Sequence, residues 1–124
     1  SVKSLTLPSC FEEIGEMAFF GCRNLAHLTF GTESGGSALR KFGGACFAQC
    51  TGLLDITIWK DVTSPADVPV IEYYTVTTTT ENVSFNIFAG ATVPSIYVRS
   101  ADIYRAVEHW DEYDAKIYEL LTRV

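Results

Sequence analysis

Ile14-Gly15-Glu16-Met17-Ala18-Phe19-Phe20-Gly21-Cys22, running through Arg23 and Asn24 into Leu25-Ala26-His27-Leu28-Thr29-Phe30, is in effect written twice in this 124-residue chain. The second copy, Phe42-Gly43-Gly44-Ala45-Cys46-Phe47-Ala48-Gln49-Cys50, leads into Leu53, Ile56 and Ile58, and both copies follow apolar-Gly-x-x-small-Phe-x-x-Cys. The apolar triplet that closes each copy recurs further out. Val2, Leu5 and Leu7 precede it and Val93, Ile96 and Val98 follow, always spaced three residues and then two, while the triplets begin 23, 28 and 40 residues apart. A register kept across copies of unequal length marks a repeat array whose loops vary.

Within each triplet the two-residue step, as from Leu28 to Phe30, is strand alternation, with one face buried and the residue between them outward. Each triplet therefore predicts one strand of a parallel sheet. Between triplets, Gly15, Gly21, Gly43 and Gly52 break the chain into short strands and turns, with a single helical turn around residues 18–22. Phe19, Phe47 and Phe88 are expected to stack as an aromatic spine. Ile14, Phe42 and Val83 each stand five residues before one of these rings and are expected to share a repeat position.

On these residues the chain resembles the BspA-like leucine-rich repeats of bacterial surface proteins, whose unit reads roughly Leu-x-x-Ile-x-Ile-Pro, a short spacer, then Ile-Gly-x-x-Ala-Phe-x-x-Cys. The resemblance covers Val2 to Val98 and is strongest between Leu5 and Ile58; in the third unit Ser84 replaces the glycine and Ala91 the cysteine. The tail, Ile96-Tyr97-Val98-Arg99 followed by Tyr104, Ala106, Trp110, Tyr113 and Ile117, is similar to the segment that closes such arrays, with Arg99 where the family usually has proline. The resemblance implies an α/β repeat solenoid, a right-handed leucine-rich coil of mostly strands and turns around a short parallel sheet, closed by a C-terminal helix. It further implies a surface or secreted binding module, often given to adhesion or host contact, and it carries over no catalytic residues and no cofactor.

Composition agrees with one compact domain: 48% of the residues are hydrophobic and 13% aromatic, enough to bury a core at this length. The net charge of -6 is spread along the chain, and no run of Lys or Arg exists to neutralise a phosphate backbone, so nucleic acid is not an expected partner. No apolar stretch approaches the roughly 20 residues of a membrane span. The opening of the chain inside a repeat reads as a fragment or a mature product. A monomer is expected.

Cys22 and Cys50 occupy one repeat position and are expected inward as small buried hydrophobes, as is Cys46 at the position of Ala18. Cys46-x-x-x-Cys50 lacks the second hook that zinc requires, so no metal site is expected. Cys10, in the spacer after Pro8, is the thiol expected to be exposed.

Two stretches exceed the basic length. Residues 31–38, with Thr-Glu-Ser-Gly-Gly-Ser, read as a flexible excursion that projects. Residues 62–82 read as an insertion in which turn residues lead into Val70-Ile71-Glu72-Tyr73-Tyr74-Thr75-Val76-Thr77, a β-prone run that predicts a hairpin or an added edge strand. The array proper is thus placed at 1–99. From Ser100 the period becomes helical, with Ile103, Tyr104, Val107 and Trp110 on one face, and 100–124 is expected to form a capping helix started by Ser100.

If the strands align, outward residues form columns on the sheet face. One holds Ser4, His27, Asp55 and Ser95, the next Thr6, Thr29, Thr57 and Tyr97, with Trp59 and Arg99 beyond. Ser4, His27 and Asp55 side by side raise a hydrolytic triad, but no strained nucleophile turn or oxyanion donor accompanies them, and a flat sheet excludes no water. The residues expected to bind are Trp59, Tyr97, Arg99, His27 and Asp55, because interface energy concentrates on Trp, Tyr and Arg. The expected ligand is a host or matrix protein, with a glycan or a purely structural spacer role as the alternatives.

Overall fold

The computed structural model describes residues 3–120. Val2, the first member of the first triplet, lies outside them, as does the end of the tail. In chain order the strands are β1 (Lys3–Leu7), β2 (Glu13–Ile14), β3 (Leu25–Phe30), β4 (Lys41–Phe42), β5 (Asp55–Ile58), β6 (Val70–Ile71), β7 (Tyr74–Thr77), β8 (Asn82–Phe85), β9 (Ser95–Val98) and β10 (Ile117–Glu119). A five-residue helix α1 (Ala101–Arg105) and 3-10 turns at Pro65–Asp67 and Trp110–Lys116 complete the chain.

Four triplets give four strands of one parallel sheet, ordered β1-β3-β5-β9-β10. Their register is the one the columns require: Leu5 opposite Leu28, Leu28 opposite Ile56, Ile56 opposite Ile96. Each unit also gives two residues to a second parallel sheet, β2-β4-β6. Layers of paired strands bury an apolar interior that no one unit could cover alone. Phe19, Phe47 and Phe88 stack through it at 5.7 Å with interplanar angles of 15° and 14°.

The third unit corrects the alignment of short-sheet positions. Ile71, not Val83, pairs beside Phe42, which itself pairs beside Ile14. Val83 lies in the antiparallel hairpin β7–β8, which is inserted between Ile71 and the aromatic spine. The hairpin spans 74–85, three residues past the expected insertion, because Tyr74, Val76, Val83 and Phe85 pair across it as Tyr74–Phe85 and Val76–Val83.

The tail is a second correction. Instead of one helix from 100 onward there is the short α1, the 3-10 turn, and a fifth sheet strand, β10, with Ile117 opposite Ile96. Ser100 does not cap α1 with its side chain. Its backbone is left-handed (φ 63°) and its hydroxyl donates to the Val62 carbonyl at 2.8 Å, while the Glu119 carboxylate accepts from the Ser100 and Ala101 N–H groups at 3.0 and 2.8 Å. Strand β10 thus supplies the anion that a helix start favours. The apolar plugs Trp110, Tyr113 and Ile117 are buried, with Tyr104 beside them, and Trp110 packs edge-on against Phe42 and Tyr104 while its Nε1 donates to the Pro69 carbonyl at 2.6 Å.

Residues 31–38 do not project freely. Thr32 and Gly36 exchange backbone hydrogen bonds of 3.2 and 2.7 Å, Arg99 donates to the Glu33 carbonyl, and a Cβ at Gly31 would lie 1.9 Å from the Gly36 carbonyl oxygen. Only glycine at position 31 permits so close a return.

Candidate functional site

The five-stranded sheet leaves an outward face on which the columns stand in register: Ser4, His27, Asp55, Ser95 in one row and Thr6, Thr29, Thr57, Tyr97, Tyr118 in the next. Neighbouring strands lie about 4.8 Å apart, so side chains in a row touch their neighbours across the ladder. His27 Nδ1 is 2.6 Å from Asp55 Oδ2, on side chains that are part-exposed. The carboxylate fixes the ring through Nδ1.

Ser4 stands opposite His27 on β1 but makes no hydrogen bond to it among the described residues. Two members of the triad arrangement are joined and the third is not. The joined His27–Asp55 pair is a polar group held in one orientation on the sheet face.

Tyr97 and Tyr118 are brought together on adjacent strands, ring centroids 5.5 Å apart and tilted by 30°, with 36% and 42% of their surfaces exposed. Sequence reading named Tyr97 and missed Tyr118. The signal was there, because Ile117-Tyr118 repeats Ile96-Tyr97, but a three-residue strand inside a helical pattern gives no alternation to count.

Trp59 and Arg99 directly follow β5 and β9 and meet each other there. Arg99 lies over the Trp59 ring at 5.2 Å, its Nη1 is 2.6 Å from Asp61 Oδ1, and its Nη2 donates to the Glu33 carbonyl at 2.9 Å. The Arg99 side chain is mostly buried, and although its Nε has no hydrogen-bond partner among the described residues, its two Nη groups tie the 31–38 turn and Asp61 to the ends of β5 and β9 more than they present a free charge. The first residues of the 62–82 insertion, Val62 and Thr63, line a common recess with Arg99, while its β6 joins the second sheet.

Among the described residues no group of three or more His, Cys, Asp and Glu side chains converges on a point where a metal could sit. Cys46 and Cys50 are buried free thiols, and burial pushes both above the usual thiol range, with the neighbouring Cys50 adding to the effect at Cys46. Such thiols are poor nucleophiles. No helix among the described residues is long and apolar enough to cross a membrane.

A family model described as a BspA type leucine rich repeat region of 6 copies matches residues 1–92. No curated protein and no solved structure matches the chain.

Proposed function

The chain belongs to the BspA-type leucine-rich repeat family, and from that premise we propose that it is a non-catalytic interaction module of a bacterial surface or secreted protein, binding a host or matrix protein through the outward face of its five-stranded sheet. The family is generally one of interaction modules. In this reading residues 1–99 wind as a right-handed coil and 100–124 close it within the same domain. The observation that carries the proposal is the exposed Tyr97–Tyr118 pair beside the His27–Asp55 pair, an aromatic anchor next to a polarised, pre-oriented hydrogen-bonding group. His27, Asp55, Tyr97 and Tyr118 are the contact residues, and Trp59 with Arg99 supports the edge of the patch.

A structural spacer is the second reading, favoured by the Trp59, Arg99 and Asp61 cluster, in which Arg99 spends its Nη groups and its ring contact within the molecule. An array of matrix proteins and glycans separates the two. The intact chain is expected to bind a protein spot, and Tyr97→Ala with Tyr118→Ala should weaken it by about 2 kcal/mol, roughly 30-fold, as loss of an interface hot spot does. Binding that survives the double substitution removes the sheet face from the proposal, binding confined to glycan spots replaces the ligand, and no binding at all favours the spacer.

A further inference from the structure

The third unit raises an amphipathic ribbon beside the stacked units. Because β7 and β8 pair Tyr74 with Phe85 and Val76 with Val83, these four apolar side chains share one face, and Thr75, Thr77, Asn82 and Ser84 share the other. A two-stranded ribbon is marginal in water unless its apolar face is covered. Here Val76 and Phe85 remain exposed. Tyr74 and Phe85 line a groove of about 380 Å³ together with Met17 and Phe20, and Phe20 is itself 51% exposed. None of the lining residues belongs to the five-stranded sheet, and none carries a carboxylate, ammonium or guanidinium.

One lining residue breaks the repeat. Two residues after each spine phenylalanine the backbone is left-handed: Gly21 (φ 73°), Gln49 (φ 63°) and Gly90 (φ 74°). A side chain in that conformation costs about 1 kcal/mol or more, which glycine avoids. The second unit nevertheless has glutamine, and its amide folds over Gly90 so closely that a Cβ there would lie 2.5 Å from Nε2. The Gln49 amide makes no hydrogen bond among the described residues. A strained position, an exposed amide with no protein partner among the described residues and an apolar cleft coincide in one place.

We propose that this groove binds an uncharged extended segment of a partner protein, which adds to an open edge of the β7–β8 hairpin, sets alternate apolar side chains between Phe20 and Phe85, and hydrogen-bonds its main chain to the Gln49 amide. The charge-free lining selects against ionised side chains, whose desolvation nothing in the groove would offset. The amide presents one donor group and one acceptor, the pair that a peptide unit complements. An extended strand supplies alternate side chains on one face and main-chain groups along its edge, which matches an open hairpin beside a narrow cleft better than a compact ligand does. The site is separate from the sheet face and stands or falls independently of it.

The test is selection of a random heptapeptide phage library on the immobilised intact chain, followed by binding of the selected peptides to Gln49→Gly, Phe20→Ser and an Asp102→Asn control, an exposed side chain on α1 that belongs to neither surface. Gln49→Gly restores the residue that the equivalent positions use, and Phe20 is exposed, so equal unfolding midpoints will show that both variants fold. The selected peptides should be uncharged with apolar residues at alternate positions. They should bind each groove variant about tenfold more weakly, the loss of one good hydrogen bond or buried contact, and the control unchanged. No enrichment, charged consensus sequences, or undiminished binding to Gln49→Gly overturns the proposal. So does a wild-type dimer in solution that Phe20→Ser converts to monomer, which would assign the groove to a second copy of the chain.

Discussion

The first two repeat units carry the same motif at the same spacing and experience different surroundings. In the second unit Phe47 is stacked on both sides, by Phe19 and by Phe88, and Cys46 and Cys50 are buried. In the first, Phe19 is stacked on one side only among the described residues, Ala18 is exposed and Cys22 is half-buried. The sheet repeats the contrast, since Leu5 is 37% exposed where its partner Leu28 is at 0%. What a motif contributes in a stacked array is set by whether a neighbour lies on each side of it, so one sequence pattern has two energies in one molecule.

Thiol labelling should give the largest separation. Cys10 is exposed and is expected to react first, with half-buried Cys22 second. Cys46 and Cys50 require global opening, which in domains of this kind costs on the order of 5 to 15 kcal/mol and slows labelling by orders of magnitude. Burial also raises both thiols, so little thiolate is present to react. Site-resolved mass spectrometry after timed alkylation measures this. Labelling of Cys50 at the rate of Cys22 would erase the contrast between the units.

Phe47→Ala against Phe19→Ala comes next in size. Removing a fully buried ring with two stacked neighbours should cost about 3 to 5 kcal/mol in denaturant unfolding, and the one-sided Phe19 roughly half of that. Equal losses would mean that Phe19 is covered in solution on its open side. The comparison with Leu5 and Leu28 points the same way.

These contrasts also bear on what was legible beforehand. The triplets and the in-register columns could be read because strand alternation and a shared spacing are carried by apolar residues that the stacked layers need, and the His27–Asp55 pair follows from that register. Ile71 was hidden because the hairpin separates it from Phe88, so a fixed spacing counted back from Phe88 landed on Val83. Strand β10 was hidden because Ile117 falls at helical spacing from Tyr113 and Trp110, and only pairing with β9 decides that a three-residue segment is extended. Half of the candidate aromatic pair went unseen with it. The groove was out of reach for the same kind of reason: Met17 and Phe20 are far in sequence from Phe85, and nothing local says that the hairpin will lie beside them.

The smallest expected effect is the most discriminating, because it exchanges the units at a single position. Gly21 and Gln49 are equivalent and both left-handed, so Gly21→Gln and Gln49→Gly ask whether the glutamine serves the fold or a ligand. The left-handed backbone penalises glutamine by about 1 to 2 kcal/mol, and the greater freedom of glycine in the unfolded chain offsets roughly 0.4 to 1 of that. Gln49→Gly should therefore leave stability unchanged or raise it by up to about 1.6 kcal/mol, and Gly21→Gln should lower it by a similar amount. If Gln49→Gly instead costs more than about 1 kcal/mol, a lost packing or hydrogen-bonding role of that size would be needed to explain it, and the amide over Gly90 would be a structural brace. If stability is kept while peptide binding falls, the second unit has given up an easier residue at a position its neighbours fill with glycine, and the groove is the reason.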